Sequence, residues 1–475
     1  MALSSHDGSS TNYLLLKPEE VNLFDLIKIL FSPNIGKRKS VDSAEEKEYH
    51  FGRRWLIFLS IMLQKLLQFI SKPLATLGSI IEIWINFLSI NNGFAGLLLN
   101  ILRGDVAIPD KKSASYVSFT GSYDLRTELD RNIKRGDPRY LVELSVMASK
   151  LAYENKAYTE SIVKEHWEME FLGSFDFWND YQGKATTQAF LLRDKKETEH
   201  DTIVVAFRGT EPFDAEAWCS DIDLSWHHLP GIGKIHCGFL KALGQQKFSG
   251  WTKEIKQNQF RRPAPLAYYH IRDMLKDVLS KNDHSNFIVT GHSLGGALAA
   301  IFPAILAFHD EKLLLGRLEG VYTFGQPRVG DEHFVNYMEA KYKEYDIKYY
   351  RIVYGFDIVP RVPYDDKELM FKHFGKCIYV NRHYEAKVVR EQPDKNYFSP
   401  FAMIPMRINA AYELLRSFTI PLTRGRDYQE GWLMITVRML GLVIPGIPNH
   451  LLQDYVNSIR LGSANVFLPE EPATI

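Results

Sequence analysis

The distribution of apolar and polar residues divides the chain into four regions. They are a polar N-terminal region ending in a charged linker (1–54), an apolar segment (55–104), a polar connector (105–138), and a long region of alternating strand-length and helix-length apolar runs (139–475). In the first region, Lys17-Pro18-Glu19-Glu20 is expected to open a short amphipathic helix that continues to Phe31, because proline and acidic residues suit a first helical turn.

The apolar segment is interrupted by a few charged residues. Between Trp55 and Leu102 these are Lys65, Lys72 and Glu82, and we find no clean apolar run of the roughly 18 to 20 residues that one bilayer-spanning helix needs. Three interpretations are open: a helical bundle packed on the following domain, a transmembrane pair, or a monotopic insert in one lipid leaflet. The last is favoured, because Lys72-Pro73 is expected to break the run and charged side chains can reach the surface of a shallow insert.

The long C-terminal region alternates between helix and strand patterns. A helix is expected to begin at Arg139, and another to occupy 265–280. Strands are predicted at Gln188–Arg193, Thr202–Phe207, Phe287–Thr290, Gly320–Phe324 and Tyr349–Tyr354. Strands that alternate with helices favour a mostly parallel sheet with right-handed crossovers, which is the α/β-hydrolase architecture.

The stretch from Phe287 to Ala300 places Gly-His-Ser-Leu-Gly between an apolar β-branched run and a run rich in alanine and leucine. A strand, a sharp turn and a helix in this order are typical of a nucleophile elbow, in which a serine hydroxyl projects from a strained turn. Glycines on both sides of the serine let the two backbones approach closely. The pattern therefore predicts Ser293 as a nucleophile and the N–H of Leu294 as an oxyanion donor at the helix start.

A serine nucleophile needs a histidine base and usually a carboxylate that orients the histidine. In hydrolases with this elbow the acid follows the serine and the histidine comes last. Asp357 follows a predicted strand at the sheet edge that also carries the elbow, and it is the leading acid. Asp365 and Asp366 are expected in a solvated turn, and Asp331 is expected to cap a helix.

Three histidines follow Asp357 in the chain: His373, His383 and His450. His450 ends a loop stiffened by proline and glycine that leads into a predicted helix, which suits a rigidly aimed base. The other two lie in polar segments beside strands, where a structural histidine is the ordinary outcome. His450 is therefore the leading base and His373 the second.

A second oxyanion donor is expected in a loop after an earlier strand. Arg208-Gly209-Thr210 follows the strand ending at Phe207, and Gly209 lets the backbone approach the reacting centre. Thr210 is the candidate, through its N–H and its hydroxyl. A serine hydrolase of this kind is expected to need neither a metal nor a cofactor.

Charge and cysteine content narrow the function classes. The 57 basic residues balance 57 acidic ones, which argues against a nucleic-acid partner. Cys219, Cys237 and Cys377 are too few and too scattered for a disulfide framework or a zinc site. Residues 1–11 do not have the basic and apolar pattern of a secretory signal, so the catalytic region is expected to face the cytosol.

Five motifs resemble, in their order and spacing, those of the class 3 (fungal-type) triacylglycerol lipases. They are Phe207-Arg208-Gly209-Thr210, His236-Cys237-Gly238-Phe239, Gly291-His292-Ser293-Leu294-Gly295-Gly296, Thr323-Phe324-Gly325-Gln326-Pro327-Arg328-Val329-Gly330 and Asp357-Ile358-Val359-Pro360. The resemblance covers about 139 to 462 of this sequence. It implies Ser293, Asp357 and His450 as a catalytic triad. It also implies an oxyanion hole made by Thr210 and Leu294.

The resemblance further implies a lid over the site, at 211–224, with Trp218 on a short amphipathic helix. The apolar segment and an insert at 401–445 ahead of the third triad residue resemble those of the plant oil-body lipases. The insert is interpreted either as helices packed on the domain or as a second lipid-contact face.

The function implied is hydrolysis of tri- and diacylglycerol esters through an acyl-enzyme at the surface of a lipid droplet, with the catalytic domain in the cytosol. A phospholipase A1 or galactolipid acyl hydrolase is the main alternative, because the same motifs serve those substrates. Plastid members would be expected to begin with an acid-poor transit peptide, whereas residues 1–50 contain several acids. A non-catalytic, lipase-like scaffold would lack one of the triad residues, and all three are present.

Overall fold

The computed structural model describes residues 13–32, 37–38, 41–43, 50–195, 201–247, 249–255, 262–363, 365, 371–395 and 403–468. In this part of the chain the strands are β1 (Tyr13–Leu16), β2 (Lys37–Arg38), β3 (Val41–Ser43), β4 (Glu170–Asn179), β5 (Lys184–Asp194), β6 (Asp201–Phe207), β7 (Trp226–Leu229), β8 (Gly233–His236), β9 (Ser285–His292), β10 (Leu318–Phe324), β11 (Lys348–Tyr354), β12 (Lys376–Val380) and β13 (Ala386–Val389).

The α-helices in the same residues are α1 (Leu23–Phe31), α2 (Phe51–Ile90), α3 (Gly93–Arg103), α4 (Tyr140–Leu151), α5 (Lys156–Ser161), α6 (Ala215–Ile222), α7 (Cys237–Leu243), α8 (Ala267–Ser280), α9 (Leu294–Phe308), α10 (Lys312–Leu315), α11 (Glu332–Glu344), α12 (Met403–Arg424), α13 (Trp432–Gly441) and α14 (Leu452–Leu461).

The central sheet has, in the described chain, eight strands in the order β13-β12-β11-β10-β9-β6-β5-β4. Strands β6, β9, β10, β11 and β12 run parallel to one another, and antiparallel strands flank them on both sides. Parallel neighbours need crossover connections. α-Helices lie in the connections from β6 to β9, from β9 to β10 and from β10 to β11, whereas the described residues between β11 and β12 form the 3-10 turn Val359–Arg361. The α/β-hydrolase fold expected from the sequence is thus confirmed.

Both faces of the central sheet are covered by apolar side chains. Along β6, Ile203 and Val205 pack into one core with helices α7, α8, α9 and α11, whereas Val204 and Ala206 pack into another with α4 and α14. A strand buried on both faces reads as a continuous apolar run, as β6 does. The two cores hold the strands rigidly, so that the loops at their carboxyl ends are fixed relative to one another.

The N-terminal region joins the domain through a small antiparallel sheet of the described residues, in the order β2-β3-β1-β7-β8. Strand β1 pairs with β7, and Leu14 and Leu16 are buried together with Trp226. This sheet was not predicted, and part of it lies in the stretch expected to be a charged linker. The helix expected from Lys17 starts later, because Pro18–Glu20 forms a 3-10 turn and Asn22 caps α1.

Helix α2 is continuous through Pro73, so the predicted break at Lys72-Pro73 is wrong. Proline removes one backbone hydrogen bond, and the turns on either side keep theirs. The carbonyl that loses its partner belongs to Phe69, which is highly exposed. At 1.5 Å per residue the 40-residue helix is about 60 Å long. Among the described residues it is the one helix long and apolar enough to cross a membrane.

The charged side chains of α2 were expected to reach the surface of a lipid insert, but two of them bind other parts of the protein. Lys65 donates hydrogen bonds to the carbonyl oxygens of Pro18 (3.1 Å) and Val21 (2.7 Å). Glu82 accepts hydrogen bonds from Tyr116 Oη and from the N–H of Phe119, both at 2.9 Å. These side chains therefore attach α2 to neighbouring segments of the protein.

Candidate active site

The elbow around Ser293 has the strained geometry that its sequence predicts. Ser293 has φ of 58° and ψ of −129°, a conformation that L-residues rarely adopt. A Cβ at Gly291 would lie 2.2 Å from the carbonyl carbon of Gly295, and one at Gly295 would lie 2.2 Å from the carbonyl oxygen of Phe207. Both glycines are therefore required by close backbone contact, and the serine sits where β9 meets the start of α9.

Ser293, His450 and Asp357 form one line of hydrogen bonds. His450 Nε2 lies 2.8 Å from Ser293 Oγ, and His450 Nδ1 lies 2.8 Å from Asp357 Oδ2. Because an ionised carboxylate only accepts, Nδ1 carries the proton and Nε2 is left to accept from the serine. Ser293 follows β9, Asp357 follows β11, and His450 follows α13. Strands β9 and β11 end at the same edge of the sheet, so Ser293 and Asp357 lie at that edge.

Asp357 is buried and held by two further donors. Its Oδ1 accepts from the N–H of Val359 at 2.9 Å, and its Oδ2 accepts from Tyr455 Oη. Burial and the Asp357 charge raise the pKa of Tyr455 well above its usual value, so the phenol keeps the proton that it donates. Tyr455 was not predicted from the sequence, since only folding brings α14 next to the loop after β11.

His292 supports the backbone of His450. Its Nε2 lies 2.7 Å from the carbonyl oxygen of His450, and its Nδ1 lies 2.9 Å from Tyr153 Oη. The carbonyl can only accept, so Nε2 donates to it and Nδ1 accepts from the tyrosine. Burial lowers the pKa of His292 well below its usual value, which keeps the ring neutral. Its place beside Ser293 in the elbow was the available signal for this role.

The two residues predicted for the oxyanion hole lie in adjoining backbone segments. Leu294 begins α9, where the first N–H groups have no partner within the helix. A Cβ at Gly209 would lie 2.5 Å from the carbonyl oxygen of His292, so the loop that continues to Thr210 presses against the elbow. Thr210 is mostly buried, and its hydroxyl donates to Asp221 Oδ2 at 2.8 Å. Burial raises the pKa of Asp221 to about 7.

The segment predicted as a lid contains the short helix α6, with Trp218 partly exposed on it. Trp218 Nε1 donates to the carbonyl oxygen of Pro212 at 3.3 Å. The same segment rests on α2: Ser60 Oγ donates to the carbonyl oxygen of Ile222 at 2.8 Å, and a Cβ at Gly78 would lie 2.5 Å from the side chain of Phe213. The predicted lid thus adjoins the apolar helix.

The alternative histidines have other partners. His373 is partly buried and its Nε2 donates to the carbonyl oxygen of Pro360 at 2.7 Å, and desolvation lowers its pKa well below the usual value. His383 is hydrogen-bonded to Tyr412 and Arg382. Neither contact involves Ser293.

The alternative acids also lie elsewhere. Asp331 caps α11 by accepting from the N–H of Phe334, as predicted, and Asp365 pairs with Lys395 at 2.8 Å. Asp366 lies outside the described residues. In the described residues, no group of three or more histidine, cysteine, aspartate or glutamate side chains is arranged to hold a metal ion.

Comparison with known proteins places this geometry in a family. The class 3 lipase family model matches residues 204–367, which include the elbow, Thr210 and Asp357. The chain is 38% identical to the triacylglycerol lipase OBL1 of Arabidopsis thaliana over 97% of each chain. It is 39% identical to the triacylglycerol lipase OBL1 of Nicotiana tabacum, over 86% of this chain and 84% of that protein.

Among solved structures, lipase II from Rhizopus niveus is 22% identical, with a TM-score of 0.40 over 56% of this chain and 91% of that chain. The near full-length similarity to the plant proteins is sufficient to show the family. The chain belongs to the class 3 lipase family of ester-hydrolysing enzymes.

Proposed function

We propose that this protein hydrolyses triacylglycerols, and the diacylglycerols formed from them, at the surface of lipid droplets. The observation that carries the proposal is the hydrogen-bonded line Ser293-His450-Asp357 at a strained elbow. The full-length relatives are named triacylglycerol lipases, and this supports a triacylglycerol as the substrate.

The chemistry follows from the positions of the proton donors and acceptors. Ser293 Oγ attacks the ester carbonyl while His450 Nε2 takes the serine proton, and Asp357 stabilises the imidazolium that forms. The N–H groups of Leu294 and Thr210 donate to the oxyanion. Collapse of the intermediate releases the diacylglycerol alcohol, which takes the proton from His450. Water, activated by the same histidine, then cleaves the acyl-enzyme to a fatty acid and restores Ser293.

The insert supports a lipid surface as the partner, because α12 buries several polar side chains and exposes large apolar ones. Its buried face carries Asn409, Glu413, Arg416 and Ser417 together with Met406, Ala410 and Ile420. Its exposed large apolar side chains are Ile404, Ile408, Leu415, Phe418 and Leu422. A helix that buries polar groups and exposes apolar ones suits an apolar medium rather than water.

Helices α2 and α3 present a second exposed apolar surface. Its members include Phe69, Leu77, Ile80, Trp84, Phe94, Leu98, Leu99 and Leu102. A cleft of about 690 Å³ lies between α2 and the start of α13 and is lined there by Ile85, Leu88, Trp432 and Leu433. The exposed apolar side chains of α2 and α3 offer a second surface for lipid.

The contacts of α2 favour an in-plane helix over one that spans a bilayer. Ile57 and Ile61 are buried against the N-terminal sheet, and Asn86 exchanges hydrogen bonds with the backbone of Val117 at 2.8 and 2.9 Å. These contacts run along most of the helix, and the loop and sheet edge that make them could not enter the hydrocarbon core of a bilayer together with it. A helix bound in this way can lie on the phospholipid monolayer of a droplet with the triad on the aqueous side.

A lipid panel tests the substrate. The purified protein would be incubated with emulsified triacylglycerol, phosphatidylcholine vesicles and galactolipid vesicles, and fatty-acid release would be measured by mass spectrometry. The proposal expects triacylglycerol to be cleaved fastest. Preferential cleavage of phosphatidylcholine or galactolipid would instead assign a phospholipase A1 or galactolipid acyl hydrolase.

Flotation with artificial droplets tests whether the exposed apolar side chains of α2 bind a lipid surface. Replacing Phe69, Ile80 and Trp84 with serine should leave most of the protein in the aqueous fraction. Turnover of a soluble short-chain ester should stay within about twofold of wild type, since these side chains do not contact the triad. Leu313, which is 49% exposed on α10, provides a matched control, and Leu313→Ser should float like wild type. Equal flotation of the triple variant and wild type would contradict this lipid-binding role of α2.

A further inference from the structure

A buried network of charged groups lies where the insert meets the domain. Arg438 on α13 donates to both oxygens of Glu430 (2.8 and 3.1 Å) and of Asp454 (2.7 and 3.0 Å). Arg416 on α12 donates to Asp454 at 2.9 Å and to Tyr354 Oη at 2.8 Å. All of these side chains are buried. The network therefore ties both insert helices to α14 and to the end of β11.

Glu413 connects this network to the triad. Its Oε1 accepts from Tyr354 Oη and from Asn409 Nδ2, both at 2.9 Å, and its Oε2 accepts from Asn449 Nδ2 at 2.6 Å. Arg438 lies 3.5 Å away. Glu413 is thus the acceptor through which α12 reaches the residue next to His450.

Asn449 uses both ends of its amide. Its Nδ2 donates to Glu413, and its Oδ1 accepts from the N–H of Phe356 at 3.0 Å. Phe356 immediately precedes Asp357, and Asn449 immediately precedes His450. The side chain is 2% exposed, so water cannot readily replace either bond. One amide therefore links the loop that carries the acid, the turn that carries the base, and the insert.

The packing around this turn is tight on the side of the insert as well. A Cβ at Gly441, the last residue of α13, would lie 2.6 Å from Pro448 Cγ. Pro448 begins the 3-10 turn that ends at His450. A shift of the insert would therefore be passed directly to the base, both through the Asn449 amide and through Pro448.

We infer that Asn449 and Glu413 are positioning residues for ester hydrolysis, through which the insert fixes the His450 turn relative to the Asp357 loop. This inference rests on the proposed function, because the two residues are inferred to position the triad named there. Positional errors of about 1 Å in a catalytic group cost roughly 10²-fold in rate. Loss of the amide should therefore slow the chemical step without weakening the binding of a small substrate.

The test compares Asn449→Ala and Glu413→Ala with Glu413→Gln, measuring kcat and KM on a soluble short-chain ester together with thermal unfolding. Both alanine variants are expected to lose roughly 10- to 100-fold in kcat with KM nearly unchanged. Glu413→Gln keeps an oxygen that can accept from Asn449 and should recover most of kcat. Glu430 and Asp454 continue to neutralise the two arginines in each Glu413 variant.

Asn457→Ala is the matched control. Asn457 is a fully buried amide on α14 that donates to Tyr384 Oη at 2.9 Å and accepts from Arg126 at 2.8 Å, and neither partner belongs to the catalytic loops. It should lose stability but keep kcat. Wild-type kcat in folded Asn449→Ala, or an equal kcat loss in Asn457→Ala, would overturn the inference. Full activity of Ser293→Ala would instead overturn the proposed function, so the two failures are distinguishable.

Discussion

Replacing Asp357 with asparagine changes one atom of a carboxylate whose acceptors are fully engaged. Oδ2 accepts from His450 Nδ1 at 2.8 Å and from Tyr455 Oη, and Oδ1 accepts from the N–H of Val359 at 2.9 Å. An amide nitrogen at either position meets a donor. No orientation of the asparagine can therefore keep all three hydrogen bonds.

The two orientations have different consequences. With the nitrogen at the Oδ2 position, His450 must place its proton on Nε2, and it can then no longer accept the proton of Ser293. With the nitrogen at the Oδ1 position, the N–H of Val359 loses its partner, which costs about 1 to 3 kcal/mol in stability. In that orientation the histidine tautomer is kept, but the charge that stabilises the imidazolium is lost.

Either outcome lowers the rate of the chemical step. We expect kcat of Asp357→Asn to fall by about 10³- to 10⁴-fold, equivalent to about 4 to 5.5 kcal/mol of transition-state stabilisation. KM for a small soluble ester should change little, since Asp357 is buried behind the histidine.

The assay is steady-state hydrolysis of a soluble short-chain ester, with circular dichroism to confirm folding. Asp365→Asn serves as control, because Asp365 pairs with the half-exposed Lys395, and such a pair contributes little. It should keep kcat within about twofold. More than a tenth of wild-type kcat in folded Asp357→Asn, or an equal loss in Asp365→Asn, would refute the reasoning.

Four further substitutions have defined outcomes. His450→Ala should reduce kcat nearly as much as loss of the serine, and His373→Ala should have a mild effect; the reverse order would make His373 the base. Burial raises the pKa of Asp221 from about 4 in the unfolded chain to about 7. The stability of the wild type should therefore fall between pH 4 and 7 relative to that of Asp221→Asn. A difference in melting temperature between the two proteins that stays constant over this pH range would contradict this. Gly209→Ala should lower kcat by roughly 10²-fold, since the added Cβ would lie 2.5 Å from the carbonyl oxygen of His292. An unchanged kcat would exclude tight packing of the loop leading to Thr210.

The parts of the fold that the sequence predicted are those with a local signal. Strands β6 and β9 contain continuous apolar runs, and β10 and β11 are largely apolar despite Glu319 and Arg351. Their order with the intervening helices is enough to indicate a parallel sheet. Strand β1 has four residues, and its partner β7 lies more than 200 positions away, so no local pattern reveals the pairing. The continuity of α2 through Pro73 depends on tertiary contacts that outweigh the local cost of proline.

The residues of the candidate site also divide into those with a local signal in the sequence and those without one. Ser293, Asp357 and His450 each follow a recognisable motif or loop, and the structure brings them within hydrogen-bonding distance. Tyr455, Tyr153 and Asn449 act through partners that are distant in sequence. The burial of polar side chains by α12 was not predicted either, because a mixture of apolar and charged residues does not show which side faces the domain.

Fatty-acid release from emulsified triacylglycerol by Ser293→Ala tests the central claim most directly. The variant removes only the nucleophilic oxygen, and a melting temperature equal to that of wild type would confirm that the fold is kept. If Ser293 forms the acyl-enzyme, turnover should fall by several orders of magnitude at the same droplet loading. Retention of more than about a tenth of wild-type turnover would contradict hydrolysis through this serine.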